Sequence, residues 1–427
     1  MTDQPALDLI FRQARLPGAA LPMDLGVRSG RFVAIEPKII CDAPEVMVGG
    51  RAVLPGFVDS HVHLDKACLL GRCSHIRGGL KEAIAAVSAM KRDFTVADVH
   101  ARGAQVLDSA IAKGTTRMRS HVEVDPRAGL RSFEAIKQLK RDYAWGLDLS
   151  ICVFPQEGLT NDPGTEELLV QALADGADLL GGCPYTDSDP HRQIARLFAL
   201  ARRFDVDLDF HLDFDLDPGW MHLDEVCRQT IAHGYQGRVA IGHVTKLSML
   251  APSDLVAIAA RLQEAGVAVT VLPATDLYLM GRDASHAVPR GLAPAHRLVE
   301  GGVTCSVATN NVLNPFTPFG DASLLRMANL YANAAQLAPE DFARCISLVT
   351  TLPARLMRLP DYGIAIGNPA DLIVLDSDSA EMALASLAEP ILGFKHGRQS
   401  FSCPAAALNR PDRQGHAAWL GSKPNTL

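Results

Sequence analysis

Two histidines separated by one residue, His61 and His63, close an apolar run in the stretch FVDSHVHLDK. Alternate residues of a β-strand point to the same face, so both imidazoles would project to one side. Neutral imidazole is a common ligand of zinc and iron. The spacing therefore indicates one side of a metal site at the end of a strand.

Other polar residues follow apolar, strand-like runs further along the chain. They are His121, Gln156, Cys183, His211, His243, Asp276 and Asn310. A single histidine in such a place is as readily a hydrogen-bonded residue of a turn. Several histidines at strand ends, led by an H-x-H pair, favour metal binding instead.

The elements that would position these residues alternate regularly. Between about residues 56 and 362, eight short strand candidates are each followed by a helical stretch. Repeated βα units predict a parallel sheet, and eight of them predict an α/β fold of the (β/α)8 TIM-type barrel. Functional side chains of such a barrel lie at the C-terminal ends of its strands, so His211 and His243 would face the H-x-H pair across the rim.

The two ends of the chain have a different pattern. Residues 1–55 and 363–407 contain short apolar runs between Gly and Pro residues, which predict β structure outside the barrel of residues 56–362. Residues 408–427 are polar and contain Pro and Gly, and we expect a loose tail there.

The composition excludes several classes of function. The 427 residues carry a net charge of −7 with no basic block, which argues against nucleic-acid binding. No stretch has the length of a membrane span, and the N-terminus lacks the pattern of a signal peptide. The nine cysteines include no C-x-x-C pair, so we expect a reduced, cytoplasmic protein without a disulfide framework.

An ordered set of segments makes the chain recognisable. They are PGFVDSHVHLDK, VFPQEG, LDFHLD, IGHVTKL, ATNNVLNPFTPFG and GIAIGNPADLIVLD. In this order they resemble the amidohydrolase superfamily and, within it, the cytosine deaminase-like group. The resemblance covers nearly the whole chain, and the ordered set is far more specific than the H-x-H pair alone.

The resemblance implies a set of roles. His61, His63 and His211 would hold one divalent ion, Fe²⁺ or Zn²⁺, that activates a water for attack on a ring carbon bearing an amino or alkylamino group. His243 would move protons, and Gln156 would contact the substrate. It also implies a β-sandwich formed by the two chain ends, and a homo-oligomer.

Lys66 narrows the resemblance. It lies three residues after His63, where cytosine deaminases usually lack lysine, and it is similar to the lysine of the N-isopropylammelide amidohydrolases. A lysine in the pocket would hold an anionic ring oxygen or shuttle a proton. The alternative is a surface lysine that simply follows a strand.

The first departure from the family lies after the fifth strand. Cytosine deaminases carry a glutamate three residues after the strand-five histidine, and here Phe214 stands in that place. Phenylalanine cannot transfer a proton and would make the pocket less polar. If the strand continued, Asp213 would share the face of His211, so we expect Asp213 to take the acid role.

The second departure concerns the general base. Asn310 occupies the place of the family's strand-eight aspartate, which binds the metal and accepts a proton. An amide oxygen can still ligate the ion weakly, but it cannot serve as a base, and a base contributes about 10²–10⁴ in rate. His243, Lys66, Asp276 or a group of the substrate would have to compensate.

Two further positions leave alternatives open. Cys183 would form a pocket wall, although a small buried apolar residue is the simpler interpretation. His121 would either face the metal or pack in the interior. We assign Asp276, with Gln156 and Phe214, to substrate binding.

The sequence thus predicts a metal-dependent hydrolase of carbon–nitrogen bonds in a planar nitrogen heterocycle, acting as a deaminase or an alkylamine-releasing amidohydrolase. One alternative is a cyclic amide hydrolase. Another is a barrel that has lost hydrolysis and binds a heterocycle, or that performs lyase or isomerase chemistry, as Phe214 and Asn310 suggest. A purely structural subunit has no supporting feature.

Overall fold

The computed structural model describes residues 6–73, 78–404, 406 and 408. The predicted tail, apart from Leu408, lies outside the described residues. The chain begins with five short strands: β1 (Leu9–Ala14), β2 (Met23–Arg28), β3 (Arg31–Glu36), β4 (Glu45–Met47) and β5 (Val53–Pro55). The first four form one sheet in the order β3-β2-β1-β4.

The next eight strands form the barrel. They are β6 (Phe57–Val62), β7 (Thr115–Glu123), β8 (Asp148–Phe154), β9 (Leu179–Gly182), β10 (Asp207–Leu212), β11 (Val239–His243), β12 (Val267–Val271) and β13 (Cys305–Val307). All adjacent pairs are parallel and follow chain order. A parallel bridge between Val62 and Asn310 joins the two end strands, which confirms the predicted (β/α)8 barrel.

Helices follow the barrel strands. They are α1 (Leu80–Met90), α2 (Val96–Ala112), α3 (Arg131–Asp142), α4 (Thr165–Ala174), α5 (Pro190–Phe204), α6 (Leu223–His233), α7 (Pro252–Ala265), α8 (Pro273–Leu279), α9 (Ala295–Glu300), α10 (Leu324–Ala335), α11 (Phe342–Ser347) and α12 (Thr351–Leu356). Short 3-10 helices occur at Leu70–Arg72, Lys91–Asp93, Pro184–Thr186, Thr245–Met249 and Pro339–Asp341.

Helix α5 shows why these segments are helical. The Asp189 side chain accepts a hydrogen bond from the backbone N–H of Arg192, and Pro190 occupies the first turn. Ile194, Leu197 and Phe198 recur at the spacing of one helix face and are fully buried. The apolar period in the sequence therefore sets which face of α5 packs on the barrel.

The last elements are β14 (Leu372–Leu375), α13 (Ala380–Ser386), β15 (Pro390–Lys395) and β16 (Arg398–Ser402). Three of them join β5 in a second sheet of order β16-β15-β14-β5. Phe11 of the first sheet and Phe394 of the second meet edge to face at 4.7 Å in a shared apolar cluster. The two chain ends thus pack together as the predicted β-sandwich.

Two details differ from the predicted C-terminal segment. The YGIAIG part is not a strand but turns and bends, because Gly363 and Gly367 adopt positive φ of 108° and 93°. Helix α13 separates β14 from β15, and the Ser379 side chain caps it by accepting from the N–H of Met382. The domain boundaries after residues 55, 362 and 407 stay predictions. None of the described helices is long and apolar enough to cross a membrane.

Candidate metal centre and active site

Three imidazoles converge at the C-terminal rim of the barrel. Nε2 of His211 lies 3.1 Å from Nε2 of His61 and 3.1 Å from Nε2 of His63. Ligands about 2.0 Å from a tetrahedral ion lie roughly 3.3 Å apart, so the spacing suits a shared cation. Each ring is at most 2% exposed. The structure brings these three predicted ligands together; that they bind a metal stays a prediction.

The surroundings keep these rings in the form that binds metal. Burial first, then the neighbouring His121, hold the pKa of His61 and of His211 well below the usual value for histidine. Burial and the charge of Lys66 do the same to the pKa of His63. Neutral rings with converging nitrogens fit a divalent ion.

Backbone contacts hold the ligand-bearing strand end. His63 N donates to the carbonyl of Asn310, and Asn310 N donates to the carbonyl of His61, both at 2.8 Å. Strand β11, which is not adjacent to β6 in the barrel, contributes Gly242, where an added Cβ would lie 3.3 Å from the His61 ring. Because Gly242 has no side chain, the His61 imidazole fits at this position.

Asn310, the predicted fourth ligand, lies beside the histidines and is 1% exposed. Neither its amide oxygen nor its amide nitrogen has a hydrogen-bond partner among the described residues. The neighbouring Asn311 accepts a hydrogen bond from Asn314 at 2.7 Å. An unpaired buried amide is costly, which leaves Asn310 Oδ1 available for a ligand contact; that it binds the metal stays a prediction.

His243 lies next to the three converging histidines, and Asp276 sets the orientation of its ring. Its Nδ1 is 2.6 Å from Asp276 Oδ1, and the other carboxylate oxygen accepts from the N–H of Leu272. With the proton on Nδ1, Nε2 remains as the acceptor in the site. Burial raises the pKa of Asp276, and the contact with His243 acts against that rise.

These contacts change the interpretation of Asp276. We predicted it as a substrate-binding residue, but it is fully buried and both oxygens are already engaged. Its position favours a role through His243 over direct contact with a substrate. The general pattern, a histidine oriented by a carboxylate, is typical of proton-transfer sites.

Lys66 is not the surface residue that the alternative required. It is 1% exposed, and its Nζ donates to Glu123 Oε1 at 2.7 Å and to Gln156 Oε1 at 3.1 Å. The ring of Phe316 lies 4.4 Å from the ammonium. The Gln156 amide nitrogen then points to Cys183 Sγ at 3.3 Å, a weak acceptor that a stronger one can replace.

Asp213 does not share the strand face of His211, which is a correction. Strand β10 ends at Leu212, and Asp213 has a φ of 48°, so the alternation of a strand no longer applies. Its carboxylate accepts from the N–H groups of His222 and Leu223 at the start of α6. These contacts favour a helix cap over the predicted acid role.

Phe214, which follows Asp213, lies flat on His243. Their ring centroids are 3.7 Å apart with planes inclined by 21°. Phe214 is 3% exposed, so it covers one face of the imidazole with an apolar surface. Its contact with substrate stays a prediction.

His121 packs in the barrel interior rather than among the three converging nitrogens. It stacks on His61 at 3.7 Å, and its Nε2 is 3.5 Å from Asp209 Oδ2. His61, His121 and Asp209 form a second group with metal-ligand spacing, but Arg119 already donates to Asp209 at 2.7 Å. We therefore interpret this group as support beneath His61.

Sequence reasoning missed two residues near Lys66. Glu123 holds the lysine, and Lys91 contacts the other oxygen of the same carboxylate. The sequence could have indicated Glu123, since this residue lies two positions after His121 and so shares its strand face. Lys91 follows a helix, and its sequence carries no comparable signal.

The chain is similar to proteins of known family and activity. Residues 110–401 match the amidohydrolase family. N-isopropylammelide isopropyl amidohydrolase of Pseudomonas sp. (strain ADP) is 28% identical over 411 residues, which cover 92% of this chain and 96% of that protein. Pterin deaminase of Rhizobium rhizogenes is 28% identical over 76% of this chain and 75% of its own length.

A solved structure is similar over almost its full length. The crystal structure of 5-methylcytosine deaminase from Klebsiella pneumoniae liganded with 5-fluorocytosine has a TM-score of 0.90 at 26% identity, covering 94% of this chain and 99% of that one. The family match spans more than half of the chain and includes most of the rim described above. The chain therefore belongs to the amidohydrolase family and is a hydrolase that acts on carbon–nitrogen bonds.

Proposed function

We propose that this protein releases an amino or alkylamino group from a planar nitrogen heterocycle that carries a ring oxo group, with the help of one divalent ion, Fe²⁺ or Zn²⁺. The observation that carries the proposal is the convergence of three Nε2 atoms next to His243, Lys66 and Gln156. When bound, such an ion lowers the pKa of water towards neutrality. The relatives named above support a heterocyclic substrate.

The polar side of the pocket would recognise the ring oxo group. Lys66 has a third N–H beyond the two given to Glu123 and Gln156, and the Gln156 amide nitrogen donates to the Cys183 thiol and interacts with the Tyr185 hydroxyl. Both groups donate, so they suit an acceptor oxygen of the ring. Because the Glu123 carboxylate balances the ammonium charge, the oxo group need not be anionic.

The apolar side would hold the ring face and direct proton transfer. Phe214 and Phe316 flank His243 and Lys66 with aromatic surface, which suits a flat ring. His243, held by Asp276, would accept a proton during attack and return it to the departing amine. This assignment leaves no task for Asp213.

The test is amine release together with metal analysis of the purified full chain. Aminopyrimidines, N-alkylamino-triazines bearing ring oxo groups, pterins and hydantoins form the substrate panel. We expect about one divalent ion per chain and amine release from at least one oxo-bearing ring. One ion per chain, without amine release or ring opening from any of them, would argue against the proposal.

The substitution Lys66→Met tests whether Lys66 binds the substrate or only stabilises the fold. We expect KM for an oxo-bearing substrate to rise while metal content stays at the wild-type level. Lys395→Met is the matched control, because Lys395 is an equally buried lysine (2% exposed) that contacts Asp371 and Asp148, outside the site. Equal kinetic effects of Lys66→Met and Lys395→Met would show that Lys66 does not bind the substrate.

A second candidate is a hydrolase of the same family that binds a heterocycle but turns it over slowly. The unpaired amide of Asn310 and the apolar Phe214 favour it, because neither can supply the base or acid of the family. Wild-type protein would then bind panel members and release amine slowly, and Asn310→Asp combined with Phe214→Glu would raise amine release. No gain in this double variant, with fast turnover by the wild type, dismisses this candidate.

The cytoplasmic location and the homo-oligomer stay predictions.

A further inference from the structure

The candidate site is closed to solvent. Lys66 is 1% exposed, and Gln156, Phe214 and His243 are each 3% exposed. A heterocycle of the size proposed above cannot reach Lys66 or His243 unless some part of the protein over them moves. The question is which element covers the site and what holds it there.

Helix α1 packs over the apolar side of the site. Ala83 and Val87 on its buried face share a small apolar cluster with Phe214 and Phe316. These two aromatic rings are the ones that contact His243 and Lys66. We call α1 the cover helix. Its contacts with the site are thus apolar and pass through two aromatic side chains.

An ion cluster anchors the end of the cover helix. Lys91 directly follows Met90, and its Nζ lies 2.9 Å from Glu123, 2.5 Å from Asp125 and 2.5 Å from Glu157. The lysine is 1% exposed. The three carboxylates have the spacing of a metal site, but the ammonium of Lys91 already supplies the cation.

One carboxylate belongs to both the anchor and the site. Glu123 Oε2 accepts from Lys91, and Glu123 Oε1 accepts from Lys66. Glu123 ends the barrel strand β7, where its backbone N–H donates to Asp65, so its position is fixed. Two lysines from different elements therefore share one rigid acceptor.

We propose that Glu123 is a positioning residue that couples docking of the cover helix to placement of the Lys66 ammonium. With Lys91 in place, each oxygen of Glu123 has its own lysine, and Lys66 is held within reach of Gln156. When the cover helix moves away, Lys91 leaves, and the carboxylate is free to rotate towards its remaining partner. Docking of the cover helix therefore closes the site and positions the Lys66 ammonium in the same step. The part of this proposal that concerns substrate rests on the proposed function.

The test uses two readouts that need no substrate. Hydrogen exchange of residues 80–90 reports docking of the cover helix. Acetylation of Lys66 by acetic anhydride, followed by mass spectrometry, reports the reactivity of its amine, which rises when the site opens or when the lysine loses its carboxylate partner. Both are measured on the metal-loaded full chain. Acetylation of the remote, buried Lys395 is the internal control for global unfolding.

Lys91→Met should raise both readouts several-fold, whereas Lys81→Met, a change of an exposed lysine on the same helix, should raise neither. Glu123→Gln should raise Lys66 acetylation but leave exchange of 80–90 near the wild-type level, because Asp125 and Glu157 still hold Lys91. If Lys91→Met does not fold, Lys91→Arg should keep both readouts near the wild-type level, because a guanidinium can also donate to the three carboxylates, and the Glu123→Gln variant then provides the test.

Lys66 acetylation at the wild-type rate in Glu123→Gln, or in a folded Lys91→Met, would overturn the coupling. With an active substrate, Glu123→Gln should raise KM for the oxo-bearing ring more than it lowers kcat, a split that a purely structural role would not produce. If no heterocycle is hydrolysed by the wild type but the labelling results hold, the proposed function fails and the coupling stands.

Discussion

At the scale of single residues, the two departures from the family pattern both lie beside the histidines of the candidate site. Asn310 lies next to the three converging histidines, and Phe214 covers His243. One removes a carboxylate base and the other a carboxylate acid. Under the proposed function, proton transfer would then depend on the pair of His243 and Asp276.

Asn310→Asp tests the first departure. A carboxylate at this position should hold the ion more firmly and supply a base, so amine release should rise towards the gain of about 10²–10⁴ that a general base contributes. Metal retained after dialysis against a chelator and the rate of amine release measure the two effects. Asn311→Asp adds the same charge one residue away; if it performs as well, the effect is not specific to position 310.

Asp276→Asn tests the orientation of His243. The amide carries no charge to stabilise a protonated ring, and with its oxygen accepting from the N–H of Leu272 it presents an NH2 group to His243 Nδ1, so kcat should fall by about 10² or more, while metal content stays unchanged. Adding Asp276→Asn to His243→Gln should cost little further, because the two residues act as one unit. Additive losses would show that Asp276 acts independently of His243.

At the scale of elements, the barrel strands place the ligands by close packing as well as by register. Strand β11 approaches the His61 ring through Gly242, and the end of β6 is tied to Asn310 by two backbone hydrogen bonds. A ligand held in this way has little freedom to adjust. The geometry of the candidate metal site is therefore sensitive to side-chain volume on β11, a strand that is not adjacent to β6.

Gly242→Ala makes that sensitivity measurable. The new Cβ would lie 3.3 Å from His61 Cε1 and 3.4 Å from Nδ1, so the ring must shift by a few tenths of an ångström. We expect metal affinity to fall by about 10-fold or more while the protein still folds. Gly71→Ala, at a site with no atom within 4 Å, is the control; equal metal affinity in both variants would contradict the prediction.

At the scale of the whole molecule, a buried ion cluster joins the sandwich to the base of the barrel. Asp371, next to β14, contacts Arg117 of β7 at 2.5 Å and Lys395 of β15 at 2.7 Å. Burial alone would raise the pKa of Asp371, but the charges of Lys395 and Arg117 outweigh it and hold the pKa below its usual value. The junction therefore depends on an ionised carboxylate.

Asp371→Asn should weaken this junction. A folded-state pKa below the unfolded value means that the stabilisation is present above about pH 4 and is lost as the pH falls through the folded pKa. Breaking one partner of a buried ion cluster costs about 3–5 kcal/mol, so the free energy of unfolding at pH 7 should fall by that order. Denaturant unfolding between pH 7 and pH 3 measures it.

The control for this change is Asp378→Asn, which alters an exposed aspartate of the same C-terminal region. It should leave unfolding unchanged. The difference between wild type and Asp371→Asn should shrink as the pH falls below about 4, since the carboxylate of the unfolded wild type then takes up a proton that the folded protein does not yet bind. A difference that stays constant down to pH 3 would show that Asp371 acts through packing rather than charge.

Local pattern was enough to predict the barrel, the sandwich strands and the residues of the rim. The period of α5, the alternation in β6 and the eight βα units each arise from near neighbours along the chain, which is why sequence alone specifies them. The same holds for His61, His63 and His211, whose strand-end positions bring them to one rim.

Contacts between distant segments were decided only by the tertiary structure. Asp213 caps α6 because β10 ends one residue before it, and Asp276 meets His243 through a hydrogen bond between neighbouring barrel segments. Lys91 reaches Glu123 across 32 residues, and no local period encodes that contact. Periodicity determines which face a side chain occupies, but the partner on that face depends on where strands end and how elements pack.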